Sequence, residues 1–479
     1  MVLILYNTMG RQKQEFIPLR NRSVGLYSCG PTVYHFVHLG NFRAYIFVDV
    51  LRRVLERRKY SVKHVMNITD VGHLLQDQDH TKDKIEEAAK KENKSPQEIA
   101  EFYTNAFFDD SEKLHLLKHS VVCKATDHIQ DMIRLIQKLE KKGFTYITDN
   151  GVYFSVEKFQ NYGKLSNQSL EEIRGVRETV QRDSDKKHPA DFRLWQLNQS
   201  SHILQWDSPW GKGYPGWHIE CSAMSMKYLG ESFDIHTGGM DHIAIHHQNE
   251  IAQSEAATGK KYAQFWLHNA FMLFDKNKMS KSLQNIYTLR DIVERGFDPL
   301  SFRYLVLMTH YRSEMNFTFD SLTGAQKSLE KWDALIQRLL KWTGNNSVLN
   351  VKEKLFESKE KIESFLDDDL NTPMVLAELS KLFHDVNVWL DEERLNKSDV
   401  KKIIDFLKSV DQVLSVFDFS VFSFTIPANV IDLAEEREKA RRENNWVKAD
   451  LLRKEVEELG FVVSDSPNGY EIIPKRASG

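Results

Sequence analysis

Residues 24–68 alternate between strand and helix patterns, and this alternation constrains the fold more than any other feature of the chain. An apolar run at 24–29 ends in a Gly-Pro turn. Residues 41–59 then carry apolar side chains at helical spacing, and 62–68 form a second apolar run. A strand, a helix and another strand in this order predict the start of a parallel α/β sheet.

The parallel sheet predicts where a ligand would bind. Cys29 would lie at the carboxyl edge of the first strand, where such sheets bind ligands. His38 and Asn41 bracket the start of the following helix, whose free N–H groups attract phosphate, and Gly40 lets backbone approach a ligand closely. An N-cap Asn41 after a turn glycine explains the same residues without any ligand.

Composition narrows the class of protein. A chain of 479 residues is long enough for several domains, and its 41% hydrophobic and 28% charged residues are ordinary for a globular protein. The net charge of -3 gives no sign of nucleic-acid binding, although a local patch stays compatible with it. Three scattered cysteines favour a reducing compartment. The chain shows no signal-peptide pattern and no run of about 18 apolar residues, so we expect a cytoplasmic protein without a membrane span.

The pattern of elements predicts the domain organisation. Amphipathic helices dominate after residue 320, and a long charged helix at 431–459 precedes a small terminal hairpin. The predicted parts are a parallel-sheet domain in two halves at 1–125 and 205–258, an inserted connective segment at 126–204 with short strands at 146–154 and 163–166, a junction at 259–320, a helical bundle at 321–427, and a C-terminal module at 428–479.

The stretch 217–250 concentrates metal-binding residue types in what resembles a strand, a glycine turn and a helix. His246 and Glu250 are four residues apart, so a helix presents them on one face. Thiolate, imidazole and carboxylate are ligands that zinc accepts. His242 or His247 could take the place of His246. Spacing alone supports a metal site about as well as it supports ordinary roles, a core cysteine and a surface His/Glu pair. The candidate ligands are Cys29, Cys221, His246 and Glu250.

Residues 275–282 form a polar loop that contains Lys278 and Lys281 beside two serines. Two point charges on such a loop can follow a moving polyphosphate. A short basic loop that is only solvated would have the same composition.

The order of five motifs gives the chain its resemblance to a family. Together they resemble the cysteinyl-tRNA synthetases, which are class I aminoacyl-tRNA synthetases, and the similarity extends over essentially the whole chain. The motifs are Cys29-Gly30-Pro31-Thr32-Val33-Tyr34, His38-Leu39-Gly40-Asn41, Gly216-Trp217-His218-Ile219-Glu220-Cys221-Ser222, His246-His247-Gln248-Asn249-Glu250 and Lys278-Met279-Ser280-Lys281-Ser282.

Two class signatures can be compared position by position. The KMSKS signature matches at every position of 278–282. The HIGH signature departs twice, because Leu39 replaces isoleucine and Asn41 replaces histidine. Asn41 keeps a hydrogen-bond donor but carries no charge. Gln248 replaces a glutamate that is common in the family.

The resemblance implies a Rossmann-like catalytic domain and one zinc ion per chain, held by the four candidate ligands, with His246 as the histidine. Zinc binds a thiolate better than a serine hydroxyl, so it would supply the discrimination that pocket shape alone gives weakly. Four protein ligands are typical of a closed site. Substrate binding would therefore require a five-coordinate ion or a weakly held Glu250.

The resemblance also implies a reaction and its participants. The carboxylate of L-cysteine would attack the α-phosphate of ATP, with Mg²⁺ accompanying ATP, and the cysteinyl group would pass to tRNA(Cys). The implied catalytic residues are His38, Asn41, Lys278 and Lys281. The implied ATP-binding residues are His38, Asn41, Gly239, Asp241 and Lys281, and the implied cysteine-binding residues are Thr69, Trp217 and His236.

Two other functions fit parts of the same pattern. A cysteine:amino-sugar ligase of the same superfamily would share the activation chemistry, but it needs no helical region like 321–479. A non-catalytic tRNA-binding paralogue would not need His38 or the intact loop at 278–282. We expect a monomeric synthetase.

Overall fold

The computed structural model describes residues 2–71, 74–75, 79–173, 185–197, 203–275, 277–278, 286–346, 348–417, 419, 426–466 and 469–474. These residues form two compact units. One contains 2–112 and 116–271, and the other contains 113–115 and 272–479. Among the described residues, no helix has the length and apolar character needed to cross a membrane.

The first unit begins with the predicted strand–helix–strand arrangement. Its elements up to the inserted segment are β1 (Ile4–Asn7), β2 (Gln12–Glu15), β3 (Ser23–Ser28), α1 (Leu39–Arg57), β4 (Ser61–Ile68), β5 (Leu74–Leu75), β6 (Asp79–Asp83), α2 (Lys84–Glu92), α3 (Pro96–Lys113), β7 (Val121–Lys124) and α4 (Ile129–Lys141). The strand at 24–29, the helix at 41–59 and the strand at 62–68 are thus confirmed, with ends shifted by one or two residues.

The remainder of the first unit completes the sheet. Its elements are β8 (Thr145–Thr148), β9 (Gly151–Phe154), β10 (Phe192–Leu197), β11 (Gly213–Pro215), α5 (Trp217–Leu229), β12 (Phe233–Gly239), α6 (His246–Thr258) and β13 (Ala263–Asn269). The helix α5 corrects the interpretation of 217–250, which missed this element.

The central sheet is parallel and has the strand order β13-β12-β3-β4-β7. Strand β3 lies at its middle, with fully buried Leu26 and Tyr27. The chain leaves β3 toward β4 on one side and returns to β12 on the other. The connections that leave the carboxyl ends of neighbouring strands run in opposite directions at such a point, and a ligand-binding crevice forms between them. The parallel α/β architecture is therefore confirmed, and β13 extends the sheet past residue 258.

The inserted segment carries its own antiparallel sheet with the order β11-β10-β9-β8. The strands predicted at 146–154 are present as the hairpin β8–β9. A strand predicted at 163–166 is wrong, because the chain turns there and Gly163 adopts a left-handed φ of 92°. Strand β11 adds residues beyond 204 to this sheet.

The second unit contains a small three-stranded sheet followed by helices. Its elements are β14 (Met272–Phe274), β15 (Asn277–Lys278), α7 (Leu289–Glu294), α8 (Pro299–Leu307), β16 (Met315–Phe317), α9 (Phe319–Lys341), α10 (Val351–Asp367), α11 (Thr372–Asp391), α12 (Lys397–Leu414), α13 (Ala428–Arg442), α14 (Trp446–Glu458), β17 (Phe461–Ser466) and β18 (Gly469–Pro474).

The C-terminal part differs from its prediction at one point. The single helix predicted at 431–459 is two helices, α13 and α14. Asn444 adopts a left-handed φ of 57°, and the Asn445 side chain accepts a hydrogen bond from the Lys448 N–H at 3.2 Å, which begins the second helix. The predicted terminal hairpin is confirmed as β17–β18.

Candidate metal and nucleotide site

The candidate metal site lies at the carboxyl edge of the parallel sheet. Cys29 follows β3 directly, and Cys221 lies in α5, which precedes the neighbouring strand β12. His246 and Glu250 lie in the first turns of α6, which follows β12. Pairing between β3 and β12 therefore brings together side chains from distant parts of the sequence.

The four predicted ligands converge. One ligand atom from each of Cys29, Cys221, His246 and Glu250 lies within 4.8 Å of the others. Cys221, His246 and Glu250 are at most 1% exposed. A second, overlapping group also meets this description, and its members are Cys29, His236, His247 and Glu250.

Glu250 is held by three side chains around its carboxylate. Its Oε1 lies 3.0 Å from His246 Nε2, and its Oε2 lies 2.9 Å from His236 Nε2. Tyr262 donates its hydroxyl hydrogen to Oε2 at 3.0 Å. A buried carboxylate with this many partners is fixed in position, as a metal ligand has to be.

The electrostatics of the four groups favour a bound cation. Burial raises the pKa of the Cys29 thiol. The hydrogen bond between the Cys221 and Cys29 side chains, together with burial, raises the pKa of the Cys221 thiol well above its usual value. Burial opposes ionisation of Glu250, yet His236 and His246 hold its pKa below its usual value. Burial also disfavours charged His246, but Glu250 and Cys221 raise its pKa to about 10. A divalent cation would replace the imidazole proton and stabilise both thiolates.

Aromatic rings enclose one side of the cluster. The Trp217 ring centroid lies 4.4 Å from that of His246 and 6.0 Å from that of His242. His218 Nδ1 lies 3.0 Å from His246 Nδ1, which orients that ring. Trp217 thus lies beside the cluster, in contact with one candidate ligand.

The structure changes how the first turn of α1 is understood. His38, not Asn41, is the N-cap, and its Nδ1 accepts a hydrogen bond from the Asn41 N–H at 3.3 Å. With Nδ1 accepting, the neutral ring carries its hydrogen on Nε2 and can donate it. Burial lowers the pKa of His38, while nearby Asp241 opposes this effect.

The remaining predicted residues of the first unit lie along the same edge. Gly239 ends β12, and the largely exposed Asp241 side chain folds back against it. The Thr69 hydroxyl is buried and donates to Glu220 Oε2 at 3.1 Å. His236 is fully buried and stacks on Trp266 at 4.7 Å, and its Nε2 contacts Glu250 rather than open space.

Of the two predicted lysines, Lys278 lies in the other unit. Lys278 ends the short strand β15, which pairs with β14. Lys281 lies outside the residues that the structure describes.

Sequence reasoning missed the contacts of two motif residues near the cluster and missed one further residue altogether. Gln248 Oε1 accepts the Leu165 N–H at 2.9 Å, and Asn249 Oδ1 accepts the Tyr162 hydroxyl at 2.5 Å, so this motif also anchors the inserted segment. A glutamate at 248 could accept the same bond, so this contact is compatible with either residue. His268 lies in β13, outside all five sequence motifs, and no sequence signal marked it.

The fold has solved relatives among aminoacyl-tRNA synthetases. The structure resembles Mycobacterium tuberculosis methionyl-tRNA synthetase in complex with methionyl-adenylate, with a TM-score of 0.58 and 14% identity over 82% of this chain and 90% of that one. It also resembles the LeuRS of Agrobacterium radiobacter K84 in a ternary complex with tRNA and LeuAMS, with a TM-score of 0.60 and 10% identity over 84% and 85%. The first unit therefore has the Rossmann-like fold of a class I aminoacyl-tRNA synthetase.

Sequence comparison identifies the family. The model for the tRNA synthetases class I (C) catalytic domain matches residues 15–327, a DALR domain matches 361–418, and a cysteinyl-tRNA ligase anticodon binding domain matches 425–471. The cysteine–tRNA ligase of Treponema denticola is 40% identical over 97% of this chain and 98% of its own length. That of Chlamydia pneumoniae is 42% identical over 98% of both. The chain belongs to the cysteine–tRNA ligase family.

Proposed function

We propose that the chain activates L-cysteine with ATP, forming cysteinyl-adenylate and pyrophosphate, and transfers the cysteinyl group to tRNA(Cys). The observation that carries this proposal is the convergence of Cys29 and Cys221 with His246 and Glu250 at the edge of a class I synthetase sheet. The two relatives compared above, which match 97% and 98% of the chain, bear the name cysteine–tRNA ligase.

The four converging residues fit one zinc ion per chain. The four ligand atoms lie within 4.8 Å of one another, close to the upper limit of about 4.6 Å that zinc bonds of about 2.0–2.3 Å set for two ligand atoms. When bound, the ion would coordinate the substrate thiolate and lower its pKa, which serine cannot match. His246 is favoured over His247 because its group offers two sulfur donors, whereas the group with His247 offers one.

Residues at the start of α1 would act on the triphosphate. His38 can donate from Nε2 because its Nδ1 is occupied by the helix cap. Asn41 lies exposed in the first turn, beside the free N–H groups that attract phosphate. No general base is required, because the attacking group is already a carboxylate, so these residues align the reactants and stabilise charge on the phosphates.

Other residues complete the proposed substrate contacts. Gly239 and Asp241 would bind the ribose of ATP, and Lys278 and Lys281 would contact its phosphates together with Mg²⁺. Lys281→Ala should slow adenylate formation far more than it weakens cysteine binding. A pure loss of cysteine affinity in this variant would contradict a phosphate role.

The cysteine pocket would use Trp217, Thr69 and His236. Trp217 contacts the His246 ring and would form the wall beside the thiol. The Thr69 hydroxyl donates to Glu220 and accepts from Asn67 Nδ2, so it would present its remaining lone pair to an ammonium group. His236 would act by holding Glu250 in place, since its Nε2 contacts that carboxylate.

Cys221→Ser tests the proposal against Cys123→Ser, a matched change in another buried cysteine. Cys123 is 2% exposed, and its Sγ donates to the Met66 carbonyl instead of joining the cluster. We expect Cys221→Ser to lose zinc and most cysteine-dependent ATP–pyrophosphate exchange, and Cys123→Ser to keep both. Near-normal exchange and bound zinc in Cys221→Ser would refute the ligand assignment.

Pyrophosphate exchange, measured together with the charging of tRNA, separates the alternative functions. Exchange without charging of tRNA would favour a cysteine:amino-sugar ligase, and the absence of both activities would favour a binding protein. The cysteine–tRNA ligase anticodon binding match at 425–471 supports the synthetase. A cytoplasmic location, supported by three free cysteines, and a monomeric state complete the proposal.

A further inference from the structure

A chain of three hydrogen bonds leads from the turn after β1 to the sulfur of Cys29. Thr8 Oγ1 lies 2.8 Å from His268 Nδ1. The opposite nitrogen of that ring, His268 Nε2, lies 2.8 Å from His247 Nδ1. His247 Nε2 in turn lies 3.4 Å from Cys29 Sγ. Each imidazole therefore uses both of its nitrogens within the chain.

The surrounding backbone fixes the Thr8 end of this hydrogen-bond chain. The Thr8 N–H donates to the Trp266 carbonyl at 2.9 Å, and the Asn7 side chain donates to the Gln264 carbonyl at 2.9 Å. These bonds hold the turn after β1 against β13, the strand that carries His268. His247 is fully buried and His268 is 4% exposed. The two rings therefore occupy fixed positions.

The direction of the hydrogen bonds follows from the chemistry of imidazole. A neutral ring has one N–H donor and one acceptor nitrogen. A metal-bound thiolate can only accept, so His247 has to donate from Nε2 and accept at Nδ1. His268 then donates from Nε2 and accepts at Nδ1 from the Thr8 hydroxyl. Every donor in the chain thus points toward the Cys29 sulfur.

We propose that Thr8, His268 and His247 form a directed hydrogen-bond chain that places an N–H donor on the Cys29 thiolate and so positions this metal ligand. The proposal rests on the zinc site proposed above and extends it to positioning residues outside the ligand set. Hydrogen-bond partners of this kind orient ligands and fix imidazole tautomers, and their loss costs about 10–100-fold in metal affinity.

The opposite direction belongs to a different role for His247. If His247 bound the ion through Nε2, that atom could not donate, and Nδ1 would donate to His268. His268 would then donate to Thr8. His247→Gln distinguishes the two roles, because glutamine can offer an N–H near the position of Nε2 but is a poor zinc ligand.

The test measures zinc affinity of the full chain with a competing chromophoric chelator. Thr8→Val keeps the side-chain shape without the hydroxyl, and His268→Phe keeps a ring without nitrogens. We expect both variants to bind zinc about 10-fold or more weakly, and Thr8→Ser to restore wild-type affinity. His247→Gln should lose less affinity than Cys221→Ser.

A spectroscopic readout separates positioning from a general loss of stability. An N–H donor stabilises the sulfur lone pair, so in Co²⁺-substituted protein its loss should move the thiolate-to-cobalt charge-transfer band to longer wavelength. His128→Phe is the matched control. His128 is also buried, and its Nε2 lies 2.9 Å from the Tyr228 hydroxyl, outside the cluster. The control should leave both the band and zinc affinity unchanged.

The outcomes distinguish failure of this inference from failure of the zinc site. Wild-type affinity and an unmoved band in Thr8→Val and His268→Phe, with zinc lost in Cys221→Ser, would overturn the hydrogen-bond chain alone. Zinc retained in Cys221→Ser would overturn the ligand set itself. A loss in His247→Gln equal to that in Cys221→Ser would make His247 a ligand and also overturn the chain.

Discussion

Replacing Gly238 with alanine tests how closely the imidazoles pack at the end of β12. The φ of Gly238 lies outside the left-handed region, so alanine meets no backbone strain. Its Cβ would lie 2.6 Å from both His242 Nδ1 and His247 Cε1, whereas ordinary contact begins at 3.4 Å. The rings must therefore retreat by about 0.8 Å, the difference between these distances.

This displacement has a cost in stability and in metal binding. His247 is fully buried, and forcing extra volume into a packed core costs about 1–3 kcal/mol. Each kcal/mol lowers Tm by about 2–4 °C in a unit of this size. Movement of His247 also stretches its 3.4 Å contact with Cys29 Sγ. We expect Gly238→Ala to lower both Tm and the zinc content of the proposed metal site.

Calorimetry and metal analysis of the purified variant provide the assay, with Gly239→Ala as the control. A Cβ at Gly239 meets the side chain of Asp241, which is 60% exposed and free to rotate away. The control should therefore keep wild-type Tm and zinc content. Unchanged values in Gly238→Ala, or equal losses in both variants, would refute the packing argument.

Three further predictions concern other parts of the chain. Burial and nearby Arg52 lower the pKa of His119 from 6.5 to about 4, so unfolding takes up a proton below pH 6.5. The free energy of unfolding should therefore fall by up to about 3 kcal/mol as the pH drops from about 6.5 to about 4. His119→Gln should remove this loss in urea titrations at pH 7 and pH 4.5, and an unchanged dependence on pH would contradict the prediction. Asp465→Asn should destabilise the C-terminal helices and hairpin by about 1–2 kcal/mol, because Asp465 pairs with the buried Arg437 guanidinium at 2.9 Å. Hydrogen exchange over α13–β18 measures this loss of stability, and wild-type protection would count against a stabilising Asp465–Arg437 pair. Trp446→Ala should weaken tRNA binding by about 1–3 kcal/mol while sparing pyrophosphate exchange, because this 57% exposed ring can stack on a base. A tRNA affinity equal to that of the wild type would exclude this stacking contact.

Much of the fold and the types of candidate ligand could be predicted from the sequence. Periodicity is a local property, so the strand–helix–strand unit at 23–68 and the helices after 319 follow from the spacing of apolar residues. Prediction failed where local signals compete. The break at Asn444 needs a left-handed residue inside a charged helical pattern, and Trp217–Leu229 carries apolar and polar residues without a clear helical face.

The tertiary structure decided which side chains meet. Spacing allowed His242, His246 or His247 beside Glu250, and only the pairing of β12 with β3 brings Cys29 close enough to define the two overlapping groups. Thr8 and His268 come from opposite ends of the first unit and join the cluster because β13 holds both. Sequence determines local conformation through nearest neighbours, whereas a site of this kind depends on contacts between residues hundreds of positions apart, which exist only once the sheet has formed.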